Sequence, residues 1–393
     1  MSRAINIDPI TPLYETREEV LNSSVFQNFP VVSDENGIFG ISELVTSEVV
    51  NPVAALAVGQ GRGYADKFVA SFYGDYKIME GLSFKSTFGT DLAFWGSEGF
   101  TPIHYLNATN FSDRTGYGLS KSNGLFFSWE NVLTYNKTFG VHTIGANLGY
   151  SIYNNSGESI GGGVQDIPVD NIDDASLLWP NDPMLQSFGG WEYEDRGVSY
   201  FGRINYNYAE KYLLSLVMRR DGSTKFGDNN KFGTFPSVSL GWVASEESFF
   251  PNNDVVKFLK FRGSWGVNGN DRIDAGAFLA TVSGNRTYTF GTTNALVQGV
   301  APDAADNPDL KWEETTQINF GVDLRLFRHW SLTFDYFDKE TNGMLLRVGV
   351  PGLFGNGGPI ANIADLKNTG YEFELGYDNN IGGFEIDLTG NLS

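Results

Sequence analysis

Ile318-Asn319-Phe320-Gly321-Val322-Asp323-Leu324-Arg325-Leu326 alternates apolar with polar or small residues without a break. Successive side chains of a β-strand point to opposite faces. Ile318, Phe320, Val322, Leu324 and Leu326 therefore fall on one side and Asn319, Gly321, Asp323 and Arg325 on the other. Such a strand fits an apolar medium against one face and water against the other. The same pattern recurs in twelve segments, and the connections between them alternate in length. Tight turns fall near residues 80, 139, 209, 328 and 380, a connector at 246–256 is in step with them, and long loops lie between. Barrels of bacterial outer membranes have short periplasmic turns and long external loops. The alternation therefore predicts an all-β fold, an antiparallel transmembrane β-barrel segment of about 12 strands.

The predicted strands run over about 66–78, 82–94, 124–137, 140–153, 197–208, 211–221, 234–245, 257–268, 312–326, 330–341, 367–377 and 384–392. Residues 64–393 form the barrel segment, with long external loops at 95–123, 154–196, 269–311 and 342–366. A ribbon is expected at Thr281 to Phe290, and a short helix in the acidic connector Glu246 to Asp254. Residues 1–63 lack sustained alternation and hold Pro9, Pro12, Pro30 and Pro52. They read as an extracellular loop region leading into the barrel, with a helical turn near Pro52 to Leu56.

Composition narrows the function. No uncharged apolar run reaches the roughly 18 residues of a transmembrane helix candidate. The mean hydropathy of -0.22 is compatible with a barrel, whose lipid-facing residues occupy only every second strand position. Aromatic residues make up 15% of the chain, a supply for the girdles at membrane interfaces. The formal charge of -20 argues against a nucleic-acid partner, whose phosphates call for a basic field. Cysteine is absent, so neither a disulfide nor a thiolate metal site can form. Loop lengths vary too widely for the fixed repeat of a solenoid.

Several blocks then resemble one family in its own order. Arg219-Arg220-Asp221-Gly222-Ser223-Thr224-Lys225-Phe226-Gly227 is followed by Phe235-Pro236-Ser237-Val238-Ser239-Leu240-Gly241-Trp242 and Leu259-Lys260-Phe261-Arg262-Gly263-Ser264-Trp265-Gly266. Asn307-Pro308-Asp309-Leu310-Lys311-Trp312-Glu313 and Asn368-Thr369-Gly370-Tyr371-Glu372 come next, and Ile7 to Tyr14 is similar to an earlier loop. Together they resemble the SusC/RagA branch of TonB-dependent outer-membrane transporters. The resemblance implies a barrel of about 22 strands with an internal plug, importing oligosaccharides or peptides across the outer membrane of a Gram-negative bacterium. A SusD-like surface lipoprotein and the TonB system are the implied partners, and no enzyme activity or cofactor is implied. A signal peptide, a plug and a closing strand with a terminal aromatic are not recognised in the sequence, so the chain is expected to be the middle of a longer transporter. A smaller self-closed porin-like barrel, or an adhesin-type binding protein without active transport, is the alternative.

Glu246-Glu247, Asp173-Asp174 and Glu313-Glu314 pair carboxylates, but nothing places any two across a cleft as glycosidase chemistry requires. His104, His142 and His329 lie far apart, and Asp170, Asp173 and Asp174 lack a calcium-loop spacing, so no metal site is expected. The best binding candidates are loop aromatics. Trp179, Trp191 and Tyr193 fall in the longest predicted external loop, where exposed rings offer flat, rigid surfaces to sugar rings or apolar peptide side chains.

Overall fold

The structure, a computed structural model, describes residues 11–42, 49–251, 254–291 and 295–393. Residues 7–10 of the first family-like block lie outside the described residues. Two short helices, α1 (Glu18–Leu21) and α2 (Ser24–Asn28), precede a small hairpin of β1 (Ser33–Asp34) and β2 (Gly37–Ile38). The helical turn expected near Pro52 is α3 (Pro52–Val58), where Asn51 accepts the N–H groups of Val53 and Ala54 and Pro52 opens the helix where no N–H is needed.

The long strands follow as β3 (Gln60–Met79), β4 (Leu82–Thr101), β7 (Gly116–Phe139), β8 (His142–Gln165), β9 (Gln186–Tyr208) and β10 (Tyr212–Ser223). Then come β11 (Phe232–Val243), β12 (Val256–Asn270), β15 (Glu313–Leu326), β16 (Trp330–Arg347), β17 (Ile360–Ile381) and β18 (Phe384–Leu392). These twelve form one sheet in sequence order from β3 to β18. Besides the β1–β2 hairpin, two further ribbons stand outside it among the described residues: β5 (His104–Asn107) with β6 (Asn110–Ser112), and β13 (Thr281–Phe290) with β14 (Ala295–Ala304), the second lying where a ribbon was expected. A single 3-10 turn at Ala244–Glu246 ends where the acidic connector begins, and residues 252–253 of that connector, where a short helix was expected, lie outside the described residues.

Strand ends at the tight turns agree with the alternation to within a few residues, as do the opposite ends of β10, β11, β12 and β15, whereas those of β3, β4, β7, β8, β9, β16 and β17 lie further into the expected loops. β7 begins at Gly116 rather than 124, β8 reaches Gln165 rather than 153, and β9 begins at Gln186 rather than 197. β16 runs on to Arg347 and β17 starts at Ile360, so much of the predicted loops 95–123, 154–196 and 342–366 is paired strand. Residues 1–63 likewise hold helices, a hairpin and the start of β3 rather than one loop. The physical reason is that alternation reports a medium that is apolar on one side, whereas backbone pairing needs no such medium.

The two-faced strand is seen directly in β15. Phe320 lies opposite Tyr336, Val322 opposite Phe334 and Leu324 opposite Leu332, and Ile318 and Phe320 remain about half exposed. Aromatic pairs line the tight-turn end of the same face: Tyr208 with Tyr212, Trp242 with Phe261 at 5.7 Å and Trp330 with Tyr377 at 4.7 Å between centroids. An exposed apolar wall edged by aromatics is the surface a barrel presents to lipid.

Residue contacts divide the chain into two compact units. The first comprises Met1–Val69, Asp91–Leu125 and Ser156–Tyr193, and the second Ala70–Thr90, Phe126–Asn155 and Glu194–Ser393. Within the first, one buried cluster gathers Phe39, Ala54, Ala55 and Leu106, and another Phe100, Tyr117, Val164 and Ile167. The second unit has its own cluster of Phe226, Phe235, Leu310 and Trp312.

Candidate ligand-binding face

The face of the sheet opposite the apolar wall is polar. In the second unit its centre is Arg262 on β12, whose guanidinium donates to both carboxylate oxygens of Asp323 at 2.9 and 3.0 Å and to Asp335 at 2.9 Å. The fork spans β12, β15 and β16 and lies across Gly321, where an added Cβ would sit 2.7 Å from the guanidinium carbon. Nearby, Asn136, Asn205, Asn207, Ser215, Ser239, Lys260 and Asn319 line a recess of about 550 Å³. Amides and hydroxyls of this kind both donate and accept, so the recess suits a solvated, hydrogen-bonding ligand or water.

In the first unit the same kind of face carries aromatic rings. Trp191 and Tyr193, two residues apart on β9, stack with centroids 5.7 Å apart and planes at 24°, and are 48% and 37% exposed. Their placement corrects the expectation that they sit in a loop, since both belong to a paired strand. Trp179 does lie in the segment between β8 and β9, half exposed, and stands outside that stack. Sequence reasoning missed Trp95 on β4, whose ring edge lies over Gly124 of β7, and Gly157 of β8, which lies beneath the Tyr193 ring. The available signal was glycine inside a strand, a mark of close approach by another group, but β7 and β8 each hold several glycines and the sequence does not say which of them meet.

Residues of three family-like blocks pack into one buried cluster. Phe226 and Leu310 are fully buried, and Trp312 packs against Phe226 at 5.1 Å and Phe235 at 5.4 Å. Ser223 donates to Asp271 at 3.0 Å, the Trp312 indole to Lys231 O, and the Asn307 amide to Ile360 O. Conspicuous sequence here builds a knot among the loops of the second unit.

Each acidic pair has at least one carboxylate engaged by neighbouring groups of the fold. Glu313 accepts from the Asn270 amide and the Leu345 N–H, each at 3.1 Å. Glu247, in the connector after β11, accepts from the Tyr212 hydroxyl and the Trp242 indole and pairs with Lys211, and these bonds, Tyr212 first, hold its carboxyl below the usual carboxylate range. Asp173 pairs with Arg62 at 2.7 Å, while Asp170 and Asp174 bond the Asn171 amide. The three histidines bond separately, to Pro102 O, the Tyr206 hydroxyl and Asp378 O.

Comparison with known proteins gives a consistent picture. Residues 47–393 match the family model described as TonB dependent receptor-like, beta-barrel. TonB-dependent receptor P3 of Formosa agariphila is 32% identical over 359 residues, covering 88% of this chain and 34% of that relative. TonB-dependent receptor SusC of Bacteroides thetaiotaomicron is 30% identical over 394 residues, covering 95% of this chain and 37% of the relative. The chain thus spans about a third of the length of the curated relatives it matches. Among solved structures, the RagAB peptide importer in its closed-closed state superposes with a TM-score of 0.78 at 21% identity, over 91% of this chain and 39% of the other.

Proposed function

The chain belongs to the TonB dependent receptor-like β-barrel family, and on that premise we propose that it is the barrel part of an outer-membrane importer of oligosaccharides or peptides. The observation that carries this reading is the sheet itself, with an exposed apolar wall edged by aromatics on one face and hydrogen-bonding groups around Arg262 on the other. A wall of that kind is stable only against lipid, and a polar inner face lets a solvated solute pass. Import driven by the TonB system, with a SusD-like surface lipoprotein as partner and residues 1–63 and the loop ends facing outward, completes the proposal. Trp179, Trp191 and Tyr193 are its candidate substrate contacts.

Deletion of the full-length gene in its host tests this. Growth on a panel of neutral oligosaccharides, anionic oligosaccharides and peptides as sole carbon source should fail for one class and return on complementation. A tagged full-length protein should also bring down a surface lipoprotein from outer membranes. Undiminished growth on every class, together with no co-purifying lipoprotein, would overturn the reading.

A further inference from the structure

Four strands of the first unit build a surface whose parts fit together. Ser122 donates to Ser159 at 2.7 Å, Asn123 to Glu158 at 2.8 Å, and Ser156 to Leu125 O, so β7 and β8 run with Gly124 beside Gly157. Neither glycine has a side chain, and each is covered from a different flank. From β4, Trp95 brings its six-membered ring over Gly124, with ring carbons 3.2 and 3.3 Å from the position of a Cβ there. From β9, Tyr193 brings its ring over Gly157, at 2.8 and 3.1 Å from the equivalent position. Trp191 extends the row by stacking on Tyr193.

We propose that Trp95, Tyr193 and Trp191, laid over the paired glycines Gly124 and Gly157, form a stacking platform for the sugar rings of a neutral oligosaccharide. The proposal rests on the import reading above and names the substrate class for it. Rings backed by a strand lose little freedom on binding, and their flat faces match the C–H faces of a pyranose. The groups beside them are hydroxyls, paired as Ser97 with Ser120 at 2.9 Å and Ser122 with Ser159 at 2.7 Å. Hydroxyls both donate and accept, as sugar hydroxyls do. The formal charge of -20 on this chain disfavours the approach of anionic sugars such as uronates. Gly157 lies about 15 residues past the start of β8 at His142, further than the roughly 9–11 residues a strand needs to cross the hydrocarbon. That count along β8 puts Gly157 nearer the long connection to β9 than the tight turn at His142.

The test uses the full-length protein in detergent, with malto-, cello-, xylo- and mannohexaose, a galacturonate hexamer and a mixed hexapeptide pool as probes. Calorimetry and tryptophan fluorescence read binding. At least one neutral hexasaccharide should bind and change the fluorescence, and Tyr193→Ala and Trp191→Ala should each weaken it at least tenfold. Gly157→Ala keeps every ring but pushes a methyl into Tyr193, and should weaken binding several-fold. It also decides the matter if Tyr193→Ala does not assemble. Unchanged affinity in all the variants that assemble overturns the platform. Binding of only the galacturonate hexamer or the peptides overturns the platform and leaves import standing. Absence of binding by every probe, with unimpaired growth of the deletion strain, removes both.

Discussion

Single residues at the tight turns carry backbone strain that can be relieved. The turn between β9 and β10 is closed by the Lys211 N–H bonding Tyr208 O at 2.9 Å, with Ala209 and Glu210 at φ of 52° and 59°. A hairpin turn of this hand fits the twist of its strands, yet a side chain with a Cβ is disfavoured in the left-handed region. Glu210→Gly should therefore stabilise the full-length protein by about 0.5 kcal/mol, read as a higher urea midpoint in detergent. A lower midpoint would mean that the Glu210 side chain matters more than its backbone. The neighbouring connector is tied by Glu247, whose carboxyl is held below its usual range by Tyr212 and then Trp242. A depressed carboxylate contributes stability that is complete above its unfolded value of about 4.3 and is lost as pH falls through the folded value. Thermal midpoints of the native protein should exceed those of Glu247→Gln by a constant margin above about pH 5, and the margin should close below about pH 4. A margin independent of pH would show that the ionised form contributes nothing.

At the scale of elements, Arg262 binds three strands together through Asp323 and Asp335, with side chains 34%, 27% and 18% exposed. Removing the cation leaves two carboxylates facing each other in partial shelter. Arg262→Ala should cost about 1–2 kcal/mol, moderated by solvent, while Arg262→Ala with Asp335→Asn should recover part of it. Denaturant midpoints of the two full-length variants check this, and an equal loss in both would remove the electrostatic account. The same strands show what was legible in the sequence. Alternation through Ile318 to Leu326 sets inside from outside, and the tight turns set the register at one end, so β15 and β18 were readable almost residue by residue. The far ends of β7, β8 and β9 were not, because Asn154 to Gly163 on β8 pairs without an apolar face to announce it. Trp191 and Tyr193 were legible as exposed aromatics. Their alliance with Trp95 was hidden, since it depends on which glycines meet across β7 and β8.

Across the whole molecule, the buried clusters lie among the helices and loop ends rather than within the sheet wall, each cluster inside its own unit. A wall with lipid for a partner needs no internal core, but loops in water do, because their backbone and apolar groups must be covered by the chain itself. The knot around Trp312 is therefore expected to be a separate unit of stability, fed by residues from 223–235 and 307–313 that are far apart in sequence. Trp312→Ala removes the ring that Phe226 and Phe235 pack against, a change that costs about 3–5 kcal/mol in a packed core. Because the strands below keep their pairing, the loss should stay local. Hydrogen exchange of the full-length protein in detergent should show faster exchange at Ser223 and Leu310, whose amides are bonded within the knot, and unchanged protection at Leu214 to Val217 in β10. Faster exchange throughout β10 to β12 would mean instead that the loop knot and the barrel wall unfold as one.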